Sequence, residues 1–442
     1  MTNQDTPDNP TRRRQRRITR RRPAIFACAA VLLAAILAGA CEPLYEDGDP
    51  TLSLDAPPVV PTIPEPTAES MTAFVAAGVG SAYPGGALAV GTGARTEFVR
   101  AVGRIGWRDA SPPVVVDSTL YDLASLTKAM ATAVAVLLLV EDGRITLDEP
   151  VRRHLPEFEG VWKDSVTWRH LLTHTSGLPP GIVIRGTSPA DRLRRLLLTR
   201  VQVPPGRRVT YSDVGYVVLW AAAQRVAGEP LERMLERRVW QPLGMHSTQF
   251  APGRGCETCA PTLRLRTGEP FRGLPSDELA RALGSVTGNA GLFATVGDVG
   301  RFAAMVAAGG ELDGVRVLSP ASVRGLLAQQ PGAGRRTLGW TAICPDEEPD
   351  ASEPCQRPVA FGHNGWTGTS LWLDPASGRW AVVLTNRSYE RPNRPFPLDG
   401  LRRDLFLHVA RAEAEREPTD WVARTAGGGA PQGSLGEVTD QP

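Results

Sequence analysis

The spacing of apolar positions changes several times along this chain, and each change marks a predicted element. AESMTAFVAAGV (68–79) has helical spacing, while GGALAVGTGARTEFVRAVGRI (85–105) reads as two strands about a Gly-rich turn. From Ser125 to Val140 the apolar residues run almost unbroken, which predicts a helix buried on most sides. Helical signals broken by Pro and Gly fill roughly 145–330: SVTWRHLLTH, PADRLRRLLLTR, VGYVVLWAAAQRVAG, PLERMLERRVW and VGDVGRFAAMVAAGG. Thr295 with Asp298 forms a capping-box pattern at the start of the last of these. Beyond 338 the period returns to two, and TSLWLDPASGRWAVVLTN (369–386) predicts two strands about a Pro-Ala-Ser-Gly turn, followed by an amphipathic helix in PFPLDGLRRDLFLHVARAEAER. No internal repeat is present. Strands at both ends of a helical middle predict an α/β (α+β) fold: an antiparallel sheet built from both chain ends, flanked by helices, with an inserted mainly helical lobe at about 145–330.

The ends are different in kind. Eight arginines between Arg12 and Arg22 precede AIFACAAVLLAAILAGA (24–40) and Cys41, the order of an export signal's basic and apolar regions; a short membrane anchor is the alternative. LAGAC (37–41) is close to a bacterial lipoprotein box with its leucine one place early, so Cys41 is the expected lipidation site. The expected location is the exported cell envelope or periplasm, at a membrane surface. Residues 1–41 are thus read as signal, 42–68 as a Pro-rich spacer, 69–412 as the folded body and 413–442 as a disordered tail. The formal net charge of +2 comes from the basic start; the remainder is mildly acidic, which argues against a nucleic-acid partner. Cys256, Cys259, Cys344 and Cys355 form an even set suited to disulfides in an oxidising compartment, with three possible pairings, and C-x2-C with C-x10-C lacks the usual zinc-knuckle spacing.

The candidate chemistry starts from an imbalance. The chain has 47 arginines and two lysines, Lys128 and Lys163, and Lys128 stands three residues after Ser125 at the head of the buried run. One helical turn places the two side chains on one face. A desolvated lysine can lose its proton and act as a base, which an arginine cannot do. Ser125 would also lie among the free N–H groups of a helix start, where an oxyanion is stabilised. His170 and His174 at i, i+4 lack the glutamate of a zincin motif, so His174 is read as a loop support. A G-x-S-x-G elbow is absent as well.

Two further stretches complete a pattern: Tyr211-Ser212-Asp213, and His363-Asn364-Gly365 opening a strand. Together with Ser125-Leu126-Thr127-Lys128 they resemble the serine β-lactamase and penicillin-binding-protein superfamily, in particular class C-like esterases and D-peptidases. LLTHTSGLP, WQPLGM and GNAGLFATVGDVGRF are similar to further markers of that family. The resemblance spans about 69–412. It implies a serine hydrolase with Ser125 as nucleophile, Lys128 and Tyr211 in proton transfer, and the N–H groups of Ser125 and Trp366 as oxyanion hole. Asp213, His363 and Gly365 would lie along the substrate. It implies no metal and no cofactor, and a small-molecule ester, amide or peptide as substrate. An esterase or D-amino-acid-peptide hydrolase leads; a D,D-carboxypeptidase or weak β-lactamase, and a penicillin-binding sensor without turnover, are alternatives. Two departures stand out: Asp213 where the second motif usually ends in Asn, and His363 where the third commonly begins with Lys. If His363 keeps the ordinary imidazole pKa near 6.5, anionic substrates should bind better below that pH.

Overall fold

The computed structural model describes residues 68–344 and 353–389. The chain divides between Thr62 and Ile63 into two units, and every described residue belongs to the second. The signal segment with Cys41, nearly all of the spacer, the amphipathic helix expected at 395–416 and the tail lie outside the described residues.

Six strands form one antiparallel sheet: β1 (Gly85–Thr92), β2 (Arg95–Gly103), β3 (Thr341–Ile343), β4 (Ala360–Gly365), β5 (Thr369–Leu373) and β6 (Arg379–Thr385), in the order β3-β4-β5-β6-β1-β2. The join between β6 and β1, with Gly86 opposite Thr385 and Thr92 opposite Arg379, brings the two ends of the described body together. This is the architecture expected from the sequence. Successive side chains on a strand face opposite ways, and both faces here are covered. Leu88 and Val90 of β1, with Ala381 and Val383 of β6, pack on Met71 and Val75 of helix α1 (Ala68–Ala76). Ala87 and Ala89, with Val382 and Leu384, belong to the main core. Gly91 sits at a bulge where a Cβ would come within 2.3 Å of the Trp380 ring, so only glycine fits.

The apolar run after Ser125 begins as one π turn (Lys128–Thr132) and continues as α2 (Ala133–Glu141), buried through Leu139. Around it lie Trp168–Leu172, Pro189–Leu197 and the 15-residue α3 (Asp213–Ala227). Each starts where its cap residue dictates. Thr167 makes a full capping box with His170, Ser188 is followed by Pro189 at the first helical position, and Ser212 accepts from Gly215 N–H. Gly228, at φ 75°, ends α3.

Helix α4 (Val296–Ala307) falls inside the 145–330 stretch but packs on the sheet, with Phe302 in the core shared by Ala89 and Val382. The capping box expected there is half formed. Thr295 accepts from Asp298 N–H, whereas the Asp298 carboxylate accepts from Ser247 N–H and the Thr248 hydroxyl.

The cysteines pair as Cys256–Cys259 and Cys344–Cys355, which settles the open connectivity. The second lysine plays a structural part, because Lys163 is buried and donates to Leu197 O at 2.6 Å. An ammonium at the carboxyl end of the Pro189–Leu197 helix satisfies an end carbonyl and meets the negative pole of the dipole.

Candidate active site

Ser125 is presented by a strand, a strained turn and the first turn of the central helix. Strand Tyr121–Asp122 pairs with Leu292–Ala294, and Leu123 N–H donates to Leu292 O at 2.9 Å. Ala124 then takes φ 47°, a left-handed conformation costly for alanine. The buried Asp122 carboxylate holds the bend by accepting from Ala124 N–H (3.0 Å) and Ser276 N–H (2.7 Å). The turn between β4 and β5 is clipped to the same strand: the Thr367 hydroxyl donates to Asp122 O at 2.6 Å and that of Thr369 to Leu123 O at 3.0 Å. Gly365 permits this approach, because a Cβ there would sit 2.1 Å from Thr369 Oγ1 and 2.4 Å from Leu123 O. Trp366, next along the turn, leaves its side chain 61% exposed. Among the described residues no acceptor meets the backbone N–H of Ser125 or of Trp366.

Lys128 is completely buried, and its ammonium is saturated. Nζ donates to Ser125 Oγ at 3.0 Å and to Asn289 O at 2.8 Å, and lies 2.7 Å from Asp213 Oδ1 and 4.9 Å from the centre of the Tyr211 ring. Burial pushes the amine toward neutrality, but the charges of Tyr211 and Asp213 and their hydrogen bonds outweigh it, so the Lys128 pKa is raised. This corrects the expectation of a lysine made neutral by desolvation. At rest Lys128 is an ammonium, and Asp213, where an amide is usual, helps keep it so.

Tyr211 is half-buried at the centre of a ring cluster, 4.4 Å from His174 and 6.1 Å from His363 between ring centres. His174 fixes the segment. Its Nδ1 accepts from Ser212 N–H at 2.9 Å, and its carbonyl accepts from Thr210 N–H at 2.8 Å. Ser212 turns away to donate to Pro179 O, and Val214 is buried in the core, so the register that faces Lys128 presents Tyr211 and Asp213.

His363 is 5% exposed. Nδ1 lies 2.8 Å from Asn364 O, which can only accept, so this nitrogen carries the proton and the buried Nε2 is a lone pair without a hydrogen-bond partner. Burial, followed by the charges of Lys128 and Arg336, pushes the imidazole down to about 3. The expected titration near 6.5 is therefore overturned, and His363 is neutral across the physiological range. KM for a carboxylated acyl donor should show no step between pH 5 and 8; a step near 6.5 that disappears in His363→Asn would contradict this burial. Global stability should carry the signature instead. A depressed folded pKa means that the unfolded state binds the proton first, so this contribution is full above about 6.5 and is lost as pH falls toward 3. Urea unfolding at pH 7 and pH 5 should show a flatter pH dependence in His363→Asn than in the wild type.

Three participants are not among the site residues read from the sequence, although Asn289 stands in the GNAGLF stretch. Asn289 contributes only its carbonyl to Lys128. Asp122 acts through backbone N–H groups. Arg336 places its guanidinium 5.3 Å from the Tyr211 ring centre. Among the described residues no cluster of His, Cys, Asp or Glu has the make-up of a metal site.

Residues 71–402 match the beta-lactamase family, and the chain belongs to it. A relative in Escherichia coli K12 with the provisional name D-alanyl-D-alanine carboxypeptidase is 26% identical over 309 residues, covering 63% of this chain and 71% of its own length. Among solved structures, the hydrolase EstCE1, described as having promiscuous acyltransferase activity, superposes with a TM-score of 0.61 at 23% identity, over 78% of this chain and 97% of its own. A class C beta-lactamase from Rhodobacter sphaeroides superposes with a TM-score of 0.60 at 21% identity, over 76% and 98%. At these identities the structures establish the fold. The family makes the chain a hydrolase of the beta-lactamase fold.

Proposed function

We propose that this chain is an exported serine hydrolase acting through an acyl-enzyme on Ser125, with esters or D-amino-acid peptides as substrates. The observation that carries the reading is Lys128 Nζ at 3.0 Å from Ser125 Oγ, with Asp213 and Tyr211 on its other side. Ser125 Oγ attacks the substrate carbonyl, and the oxyanion is received by the free N–H groups of Ser125 and Trp366. Because Lys128 begins as an ammonium, it accepts the Ser125 proton only as it passes one of its own to the Tyr211–Asp213 side. The net charge of the buried cluster then stays constant. Tyr211 delivers a proton to the leaving group, and in the second half-reaction water takes the place of the leaving group as the same path runs backwards.

A D,D-carboxypeptidase is the second reading, favoured by the names of relatives such as the E. coli protein. The test is a fluorophosphonate or penicillin adduct located by peptide mass spectrometry. It should fall on Ser125, and an adduct on another residue would overturn the assignment. A steady-state rate following the acylation burst separates an enzyme from a sensor that acylates once.

Export and anchoring rest on the segment ending at Cys41. Intact-mass analysis of membrane-fractionated protein should show a diacylglyceryl addition on a chain beginning at Cys41; a soluble chain starting there without added mass would refute lipidation.

A further inference from the structure

We infer that the Cys256–Cys259 disulfide is a reversible thiol–disulfide exchange site, opened by an external dithiol, and that opening it slows acylation at Ser125. The effect on Ser125 rests on the acyl-enzyme reading above and gives that site a regulation. The bond lies in the 253–260 turn and encloses only Glu257 and Thr258. A loop this short restrains the unfolded chain less than the Cys344–Cys355 loop, whose partners are 11 residues apart. Its effect is local. Cys259 is completely buried and packs with Leu120 and Phe293, and Cys256 lies against the same cluster. Leu120 N–H donates to Thr258 O at 3.1 Å, and Ala260 N–H donates to Leu120 O at 2.8 Å, so the loop holds Leu120 from both sides. Leu120 leads directly into Tyr121–Asp122, and Phe293 stands opposite Asp122, whose carboxylate holds the Ala124 bend before Ser125. A second tie follows further along the chain, where Ser276 N–H donates to the same carboxylate.

The two disulfides differ in reach. Cys344 and Cys355 are both buried, whereas Cys256 is half-buried in a turn whose Arg254, Gly255, Glu257 and Thr258 are exposed. Exchange needs a thiolate to approach one sulfur of the bond, and of these four cysteines Cys256 offers that access. Arg254 stands two residues before it, and Arg272 donates to Glu257 O at 3.3 Å, so two guanidinium groups border the turn against one carboxylate, Glu257. Positive charge favours thiolates and so assists the exchange. In the first step a thiolate of the dithiol attacks Cys256 Sγ and the bond between the two Sγ atoms breaks. Cys259 Sγ leaves with the electron pair and takes up a proton, because its apolar surroundings favour the neutral thiol. In the second step the dithiol's other thiolate attacks its own sulfur in the mixed disulfide, and Cys256 is released. Two electrons pass to the chain, which gains two thiols, and the dithiol becomes a disulfide. Without the bond, the exposed arm of the turn no longer fixes Thr258 and Ala260 against Leu120, and the strand that presents Ser125 loosens.

The experiment incubates the full chain with rising dithiothreitol under native conditions, then quenches, unfolds and alkylates it and maps the free thiols by peptide mass spectrometry. Cys256 and Cys259 should alkylate at lower dithiothreitol than Cys344 and Cys355. In parallel, fluorophosphonate labelling of Ser125 should slow by about tenfold, part of what a misplaced reacting group can lose, and recover on reoxidation with oxidised glutathione. Hydrogen exchange at the Leu120 and Ala260 N–H groups should speed up in the reduced protein. Cys256→Ser combined with Cys259→Ser should label at the reduced rate with or without dithiothreitol. If that double variant does not fold, the wild type decides, since a loss that does not recover on reoxidation overturns the proposal. Reduction of Cys344–Cys355 first, or an unmoved labelling rate with Cys256 and Cys259 fully alkylated, overturns it as well. So does slowing by dithiothreitol in the double variant, which would place the sensitive bond elsewhere. A wild type that never labels at Ser125 sinks the acyl-enzyme reading. The exchange site is then judged by the order of alkylation and by hydrogen exchange at Leu120, and unchanged exchange there sinks it too.

Discussion

Ser125→Ala should abolish covalent labelling and lower hydrolysis by about 10^4-fold or more, the scale on which removal of a nucleophile acts when its partners form one unit. The effect should be confined to chemistry. Ser125 is half-buried, its backbone N–H survives in alanine, and the bend before it is held by Asp122 and Ala124. Lys128 loses one acceptor but keeps Asn289 O and Asp213. The melting temperature should therefore stay close to that of the wild type while the adduct disappears from the mass spectrum. Labelling or turnover within tenfold of wild type would mean that another group attacks the substrate.

The parts of this site that depend on local spacing are legible in the sequence, and the parts that depend on what meets across the fold are not. Ser125 and Lys128 share a helical turn, so their contact follows from i, i+3 geometry alone. The period-two runs at both ends likewise predict the sheet that β1 and β6 close. Helix α4 reads as part of the helical middle because VGDVGRFAAMVAAGG shows apolar spacing without revealing which partner it covers; the sheet face supplied by Ala89 and Val382 decides that. Arg336 is one of 47 arginines, and what sets it apart is that its guanidinium lies 5.3 Å from the Tyr211 ring centre, a contact no sequence window contains. The charge states of Lys128 and His363 differ from expectation for the same reason. Desolvation alone predicts a neutral lysine, but Asp213 and Tyr211 reverse the outcome. An exposed imidazole would titrate near 6.5, and burial beside two cations prevents it. Asn289 stands in a marker stretch, but its contact with Lys128 is not legible there because it is made by a carbonyl that any residue could provide.

Lys128→Arg should be nearly as damaging as Lys128→Ala, with both losing about 10^2–10^4-fold in kcat/KM, the usual contribution of a positioned proton-transfer group. The raised pKa of Lys128 sharpens this prediction. If the residue acted only as a fixed charge holding Ser125 and Asp213, arginine would serve, since it is always charged and pairs well with carboxylates. The proposed shuttle needs an amine that gives one proton to the Tyr211–Asp213 side and takes another from Ser125, and a guanidinium cannot be neutral even transiently. Space argues the same way: Lys128 has no exposed surface, and its ammonium fits among Ser125 Oγ, Asn289 O and Asp213 within 2.7–3.0 Å. A planar fork would displace at least one of them. Volume and chemistry are separated by Lys128→Met, which is slim, neutral and unable to carry a proton. It should fold, bind substrate and fail to acylate, whereas an arginine variant whose only defect was crowding would recover on small acyl donors. Single-turnover acylation of Ser125 with a small and a bulky ester reports both. Near-native acylation by Lys128→Arg with the small ester would assign Lys128 a purely electrostatic role and leave Tyr211 or Asp213 to remove the Ser125 proton directly.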